Sequence, residues 1–134
     1  NKAKNVFHGD TPVADDPTFK AKVAQFMLDL DALEMTELRG LAAQREGKSP
    51  GPESSLLKIK GTELQQRITS LAVELAGHEA MPYGGPYGFT DIEVAAEKSA
   101  QQSAPKYLNF RKVTIYGGTN EIQKNIIAKA VLGI

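Results

Sequence analysis

The sequence contains no cysteine. This absence excludes disulfide bonds and thiolate metal sites, and it leaves His8 and His78 as the two histidines of the chain. Two isolated imidazoles do not make the ligand set of a first-row metal ion, so we predict that the chain binds no metal. His8 has no serine or carboxylate placed to orient it, and we interpret it as a solvated loop histidine.

An excess of charge of one sign and long apolar runs are also missing. Sixteen basic residues balance sixteen acidic ones, so no bulk field attracts nucleic acid or an anionic membrane surface. The apolar runs are far shorter than the roughly 20 residues that cross a bilayer, and the N-terminus has no signal-peptide pattern. We therefore predict no nucleic-acid partner, no membrane association and a cytoplasmic location.

The length of 134 residues is that of one domain, long enough to bury a core. The sequence begins at Asn1 with no initiator methionine. We expect residues 1–134 to form a single domain that is a fragment of a longer chain.

Two long amphipathic helices are predicted from the spacing of apolar residues. Asp16 followed by Pro17 is a helix start signal, and apolar residues then recur every three or four positions to Gly47, which predicts a helix over residues 16–47. A second seam predicts a helix over residues 52–78, and its members are Leu57, Gly61, Leu64, Ile68, Leu71 and Leu75. Gly61 suggests that another helix approaches closely at this position. Such a pair suits antiparallel packing.

Shorter helices are predicted over residues 91–101, 105–115 and 119–132, and residues 1–14 are predicted to be extended. The proline and glycine content of residues 78–89 predicts a loop. The fold class that follows is all-α, an antiparallel up-and-down helical bundle.

The chain is organised around its last nineteen residues, where two glycines open a helix. Gly117 and Gly118 can take backbone conformations closed to other residues, and Thr119 is placed to cap the helix that follows. Free N–H groups at such a turn can bind a phosphate or a carbonyl oxygen. A plain turn and helix cap is the structural alternative, and the turn by itself favours that alternative.

The longer string of residues is more specific than the turn. Tyr116, Gly118, Thr119, Glu121, Ile122 and Gln123 are followed by a basic residue, Ile-Ile-Ala, another basic residue and a closing Leu-Gly. This string closely resembles the C-terminal signature of the acyl-CoA dehydrogenase flavoproteins. The resemblance extends fairly well over residues 107–115 and more diffusely over residues 15–78.

The resemblance implies the C-terminal helical domain of an FAD-dependent oxidoreductase that forms an α,β double bond in an acyl-CoA thioester. It implies FAD contacts for Tyr116, Gly118, Thr119 and Glu121, and it places the backbone N–H of Gly117 toward the thioester oxygen of the substrate. It also implies assembly into a homo-oligomer, as a dimer or tetramer, or into a hetero-oligomer with a related subunit.

Gly117 stands where the family often has a glutamate that removes a proton beside the thioester carbonyl, so no catalytic residue is assigned in this chain. First among three alternatives is a base on a helix upstream of Asn1, as some members of the family have. The second is a subunit that binds flavin or holds an assembly while a partner supplies the base. The third is that Glu121 is the base.

Two further features bear on function. In the resembled family a glycine-rich segment lines the FAD diphosphate site of a neighbouring subunit, and Gly84, Gly85 and Gly88 stand near that place, although Pro86 removes a backbone donor. A different class of function is a helical module used only for protein assembly, in which the glycine turn is merely a cap. The presence or absence of flavin in the full-length protein separates these classes.

Overall fold

The computed structural model describes residues 6–49, 51–81 and 98–133. In these ranges the fold is all-α, as predicted, and its main helices are α1 (Pro17–Arg45), α2 (Glu53–Ala76), α3 (Lys98–Gln101), α4 (Ser103–Asn109) and α5 (Asn120–Leu132). Short 3₁₀ helices in the same described ranges cover Val13–Asp15, Gly77–Ala80 and Phe110–Thr114. In the described part of the chain, no helix combines the length and the apolar character that a membrane span needs.

The start of α1 has the cap that the sequence predicts. The carboxylate of Asp16 accepts hydrogen bonds from the backbone N–H groups of Thr18 at 2.7 Å and Phe19 at 3.3 Å. Pro17 is the first helical residue, a position where its missing N–H costs nothing. At the other end, Gly47 has a φ of 78° and terminates the helix two residues after Arg45.

Compact packing divides the chain into two units. The first unit contains residues 1–24 and 66–111, and the second contains residues 25–65 and 112–134. Both long helices contribute to both units.

In the first unit, the beginning of α1 lies beside the end of α2, where Lys22 pairs with Glu74 at 2.7 Å. Its buried residues include Val13, Phe19 and Ala80, and α3 contacts both Gly77–Ala80 and α4. Arg111, the last residue of this unit, is hydrogen-bonded to α2, because its guanidinium donates to the carbonyl oxygen of Gln66 at 2.9 Å.

In the second unit, the rest of α1 packs beside the beginning of α2 and α5 completes the unit. Its buried residues include Ser55, Ile59, Leu64, Val113 and Asn120. The burial of Ser55 and Asn120 shows that the interior of this unit holds polar as well as apolar side chains.

Several predicted boundaries need correction. The predicted extended segment over residues 1–14 contains an antiparallel hairpin, in which Phe7–His8 (β1) pairs with Thr11–Pro12 (β2), followed by the first 3₁₀ helix. The predicted helix over residues 105–115 begins earlier, at Ser103, and changes to 3₁₀ geometry at Phe110. Of the predicted helix over residues 91–101, the part before Lys98 lies outside the described residues, as does most of the predicted loop.

The apolar seams are only partly buried. On α1, Phe19 is buried, whereas Leu30, Leu38 and Leu41 are between 39% and 51% exposed. On α2 the predicted seam residue Ile68 is 50% exposed, and the buried Ile59 was not in the predicted seam. Both long helices therefore keep apolar surface accessible in this chain.

Candidate functional site

The candidate site is the turn that joins the 3₁₀ helix Phe110–Thr114 to α5. We call residues Tyr116–Thr119 the glycine turn. Gly117 has a φ of 67° and Gly118 a φ of 84°, both in the left-handed region that only glycine adopts without strain. The sequence-based prediction that these two glycines take special backbone conformations is therefore confirmed.

Thr119 is the N-cap of α5, as predicted. Its backbone is extended, with φ −62° and ψ 158°, and its hydroxyl oxygen accepts from the backbone N–H of Ile122 at 3.3 Å. Its carbonyl oxygen accepts from the N–H of Gln123 at 3.0 Å. At the opposite end of α5, Gly133 closes the helix with a φ of 69° and donates to the carbonyl oxygen of Lys129. Both ends of α5 are thus fixed by local sequence signals.

Glu121 lies in the first turn of α5 with its carboxylate turned toward the cap. A hydrogen bond from its own backbone N–H lowers the pKa of this carboxyl, and one from the Thr119 hydroxyl lowers it further. Desolvation acts in the opposite direction, and the charges of Lys124 and Lys58 add smaller lowering effects. The lowered pKa favours the ionised carboxylate, the form that accepts these hydrogen bonds at the helix cap.

The glycine turn is accessible to another molecule. Tyr116 is 56% exposed, and Gly117 and Gly118 are exposed as well. A Cβ atom added at Gly117 would have no atom within 4 Å, whereas one added at Gly118 would lie 2.6 Å from Nε2 of Gln123. Gly117 therefore faces open space, and at Gly118 the flexible end of the Gln123 side chain would have to move. At both positions it is the positive φ that favours glycine.

Lys58 and Asn120 are site residues that sequence reasoning missed. The ammonium group of Lys58, on α2, donates to Oδ1 of Asn120 at 2.9 Å and to the carbonyl oxygen of Thr114 at 3.3 Å. Thr62, one helical turn after Lys58, also reaches Oδ1 of Asn120, at 3.4 Å. Lys58 and Thr62 share a helix face because they are four residues apart, which is the signal that could have indicated a joint role.

The predicted site residues are brought together by chain continuity. Tyr116, Gly117, Gly118 and Thr119 form the turn, and Glu121 follows it beside the cap. Gly84, Gly85 and Gly88 lie outside the described residues. In the described ranges, no group of three or more histidine or acidic side chains is arranged to hold a metal ion.

A comparison with protein families gives a match over nearly the whole chain. Residues 2–132 match the family profile described as acyl-CoA dehydrogenase, C-terminal domain. Among curated proteins, the chain is 29% identical over 127 residues to acyl-CoA dehydrogenase IpdE1 of Mycobacterium tuberculosis, covering 92% of this chain and 29% of that protein. It is 27% identical over 124 residues to the protein of the same name from Mycolicibacterium smegmatis, covering 92% of this chain and 27% of that protein.

Among solved structures, the chain is similar to one in the crystal structure of the ChsE4-ChsE5 complex from Mycobacterium tuberculosis. The TM-score is 0.71 at 25% sequence identity, and the match covers 98% of this chain and 32% of that chain. The sequence therefore spans about a third or less of the length of these relatives.

Proposed function

This chain belongs to the acyl-CoA dehydrogenase family, and on that premise we propose that it is the C-terminal helical domain of an FAD-dependent oxidoreductase. The proposed reaction is formation of an α,β double bond in an acyl-CoA thioester. The observation that carries the proposal is the exposed glycine turn, with two left-handed glycines and a capped helix directly after them. Residues 1–134 are proposed to form one domain of a longer protein.

The residues of the turn fit a planar, carbonyl-rich cofactor. Gly117 has no Cβ to block a close approach and faces open space, and the exposed Tyr116 is the aromatic residue of the turn. We propose that Tyr116, Gly118, Thr119 and Glu121 contact FAD, which supplies a hydride acceptor when bound. The N–H of Gly117 is proposed to donate to the thioester oxygen of the acyl-CoA substrate.

No side chain of the glycine turn is suited to removing the substrate proton. Gly117 has none, and the carboxylate of Glu121, which follows the turn, is hydrogen-bonded at the helix cap. We therefore propose that the base lies on a helix that precedes Asn1 in the full-length protein. The protein is proposed to be cytoplasmic.

Assembly is the second part of the proposal. Ile122 is 52% exposed and Ile126 is 45% exposed on α5, and Leu30, Leu38 and Leu41 on α1 are exposed to a similar degree. Apolar side chains left accessible on two helices indicate surfaces for neighbouring domains or subunits. We propose a homo-oligomer or a hetero-oligomer with a related subunit, and the similarity to a chain of the ChsE4-ChsE5 complex supports the second arrangement.

The same observations favour one other candidate, a subunit that holds the complex without catalysing the reaction. Gly117 offers no base, and the exposed apolar helices suit assembly. This candidate retains the fold and the oligomer but not the dehydrogenation.

Anaerobic spectroscopy of the full-length protein tests these proposals. We expect the purified protein to show flavin absorbance and to lose it when an acyl-CoA from a panel of chain lengths and branching patterns is added. Coenzyme A alone is the control and should leave the absorbance unchanged. Flavin that no acyl-CoA bleaches would indicate a non-catalytic flavin subunit, and a flavin-free protein that cannot be reconstituted with FAD would favour the assembly module.

A further inference from the structure

Lys58 joins the two ends of the glycine turn. Thr114 is two residues before the turn and Asn120 is directly after it, and one ammonium group donates to both, at 3.3 Å and 2.9 Å. The two acceptors are therefore held within two hydrogen-bond lengths of each other. Both contacts are partly buried, and Asn120 is only 8% exposed.

Asn120 is oriented chiefly by Lys58. Its Oδ1 atom accepts from the Lys58 ammonium at 2.9 Å. The Thr62 hydroxyl lies 3.4 Å from the same atom, but its one proton is directed to the closer carbonyl oxygen of Ile59, at 2.9 Å. A buried amide fixed in this way does not rotate freely, because rotation would leave buried polar atoms unpaired. The first residue of α5 is consequently anchored to α2.

The local hydrogen bonds of Tyr116 and Gly117, in the part of the turn before the Thr119 cap, are long. Nε2 of Gln123 donates to the carbonyl oxygen of Gly117 at 3.4 Å, and the N–H of Tyr116 donates to the carbonyl oxygen of Lys112 at 3.5 Å. Both distances are at the long end for hydrogen bonds. Two adjacent glycines also lose more backbone entropy on ordering than other residue pairs, so contacts that fix both ends of the turn favour one conformation.

The charge of Lys58 is felt at the turn as well. Its ammonium is one of the groups that lower the pKa of Glu121, so its electrostatic effect reaches the first turn of α5. By contrast, Lys60 lies two residues further along α2, is exposed, and pairs with Glu63 at 2.9 Å. The two lysines therefore differ in contact while sharing a helix.

We propose that Lys58 is a positioning residue: its ammonium holds Thr114 and Asn120 together so that the glycine turn is ordered before its ligand binds. This inference rests on the proposed function for the identity of the ligand, FAD. A turn that is already ordered loses less entropy on binding, so the two hydrogen bonds of Lys58 raise the affinity for the ligand although Lys58 does not contact it.

Substitutions at Lys58 in the full-length protein test the inference. Lys58→Met keeps the aliphatic stem and removes the charge and the donors, Lys58→Arg keeps a charged donor, and Lys60→Met is the matched control. Two quantities are measured for each variant: hydrogen exchange of peptides that cover residues 115–119, without cofactor, and the dissociation constant for FAD added to apoprotein.

We expect Lys58→Met to speed exchange in the glycine turn and to weaken FAD binding roughly tenfold to hundredfold, the effect of losing a hydrogen bond to a charged group. Lys58→Arg should restore much of both, and Lys60→Met should match wild type. If Lys58 contributed only to global stability, Lys58→Met would speed hydrogen exchange across the whole second unit, and Lys58→Arg would not restore slow exchange in the turn. That pattern, or unchanged exchange and affinity in Lys58→Met, would overturn the inference.

Asn120→Ala keeps the test decisive where Lys58→Met does not fold. It removes the side-chain acceptor of the Lys58 ammonium, so the same local rise in exchange is expected. Unchanged exchange in a folded Asn120→Ala protein would contradict the positioning role of Lys58. A wild-type protein that binds no FAD would refute the proposed function. The exchange measurements would then decide the positioning role of Lys58 by themselves.

Discussion

Leu33 on α1 faces Gly61 on α2, and a Cβ atom added at Gly61 would lie 4.0 Å from Cδ2 of Leu33. That distance is an ordinary van der Waals contact, so the neighbouring helix leaves room for a methyl group. The glycine is therefore not required by the contact, although the sequence suggested a close approach at this position.

Gly61→Ala should stabilise the protein. Alanine loses less backbone entropy than glycine when it joins a helix, which is worth about 0.5–1 kcal/mol, and the added methyl gains a contact with Leu33. Gly40→Ala is the matched control, since Gly40 lies within α1 with no atom within 4 Å of an added Cβ. Urea denaturation measures both. A loss of stability in Gly61→Ala alone would show that the two helices lie closer together than described.

The long helices were predictable because their signals are local. Asp16 with Pro17, and Thr119 before α5, mark helix starts by side-chain chemistry that acts over three residues, and the structure confirms both caps. The glycine turn followed from Gly117 and Gly118 for the same reason. Predicting these features requires no knowledge of the tertiary contacts.

The features that were not predicted depend on short elements or on distant contacts. The hairpin of Phe7–His8 with Thr11–Pro12 has two residues in each strand, too few to show an alternating pattern. The contact between Lys58 and Asn120 joins residues 62 positions apart, and a lysine between two apolar residues of a helix is ordinary in sequence. Ile59 was missed because its burial depends on packing within the second unit.

Thr119→Ala should weaken both the helix and the proposed cofactor contact. It removes the hydroxyl that accepts from Ile122, and loss of an N-cap costs about 1 kcal/mol. Thr119→Ser is the control, because it keeps the hydroxyl. Thermal denaturation reports the cap, and the flavin content of the purified full-length protein reports the ligand contact. If Thr119→Ala retained the flavin content of wild type, Thr119 would be removed from the proposed site.

The stability contributed by Glu121 should depend on pH. Its pKa in the folded protein is lowered below the ordinary glutamate value of 4.5, chiefly by the hydrogen bond from its own backbone N–H and by that from Thr119. A carboxyl group with a depressed folded pKa stabilises the protein above its unfolded pKa, and this contribution is lost as the pH falls through the folded value.

The measurement is the melting temperature of wild type and Glu121→Gln over a pH series. Wild type should be the more stable protein near neutral pH, and the difference should shrink as the pH falls below 4.5. Glu63→Gln is a control for an exposed glutamate outside the turn, paired with Lys60. A difference that grows on acidification would mean that the carboxylate is not stabilised by the cap.

Gly117→Glu separates an enzyme whose base lies elsewhere from a subunit that has lost catalysis. A Cβ atom added at Gly117 meets no atom within 4 Å, so a side chain can leave the backbone there, but the φ of 67° costs an L-residue about 1–2 kcal/mol. If the base lies upstream of Asn1, a second carboxylate should repel it, and we expect Gly117→Glu to bleach its flavin with acyl-CoA no faster than wild type.

Gly117→Gln carries the same strain and bulk without the charge and is the control. If the chain has no base, wild type should be inert and only Gly117→Glu should gain, by ~10²–10⁴-fold, the acceleration that a well-placed general base provides. Anaerobic bleaching by the acyl-CoA panel, measured for the three proteins side by side, distinguishes these outcomes. We expect bleaching in wild type, because a subunit with no catalytic task would not need two left-handed glycines held open in front of a capped helix; bleaching confined to Gly117→Glu would reverse that assignment.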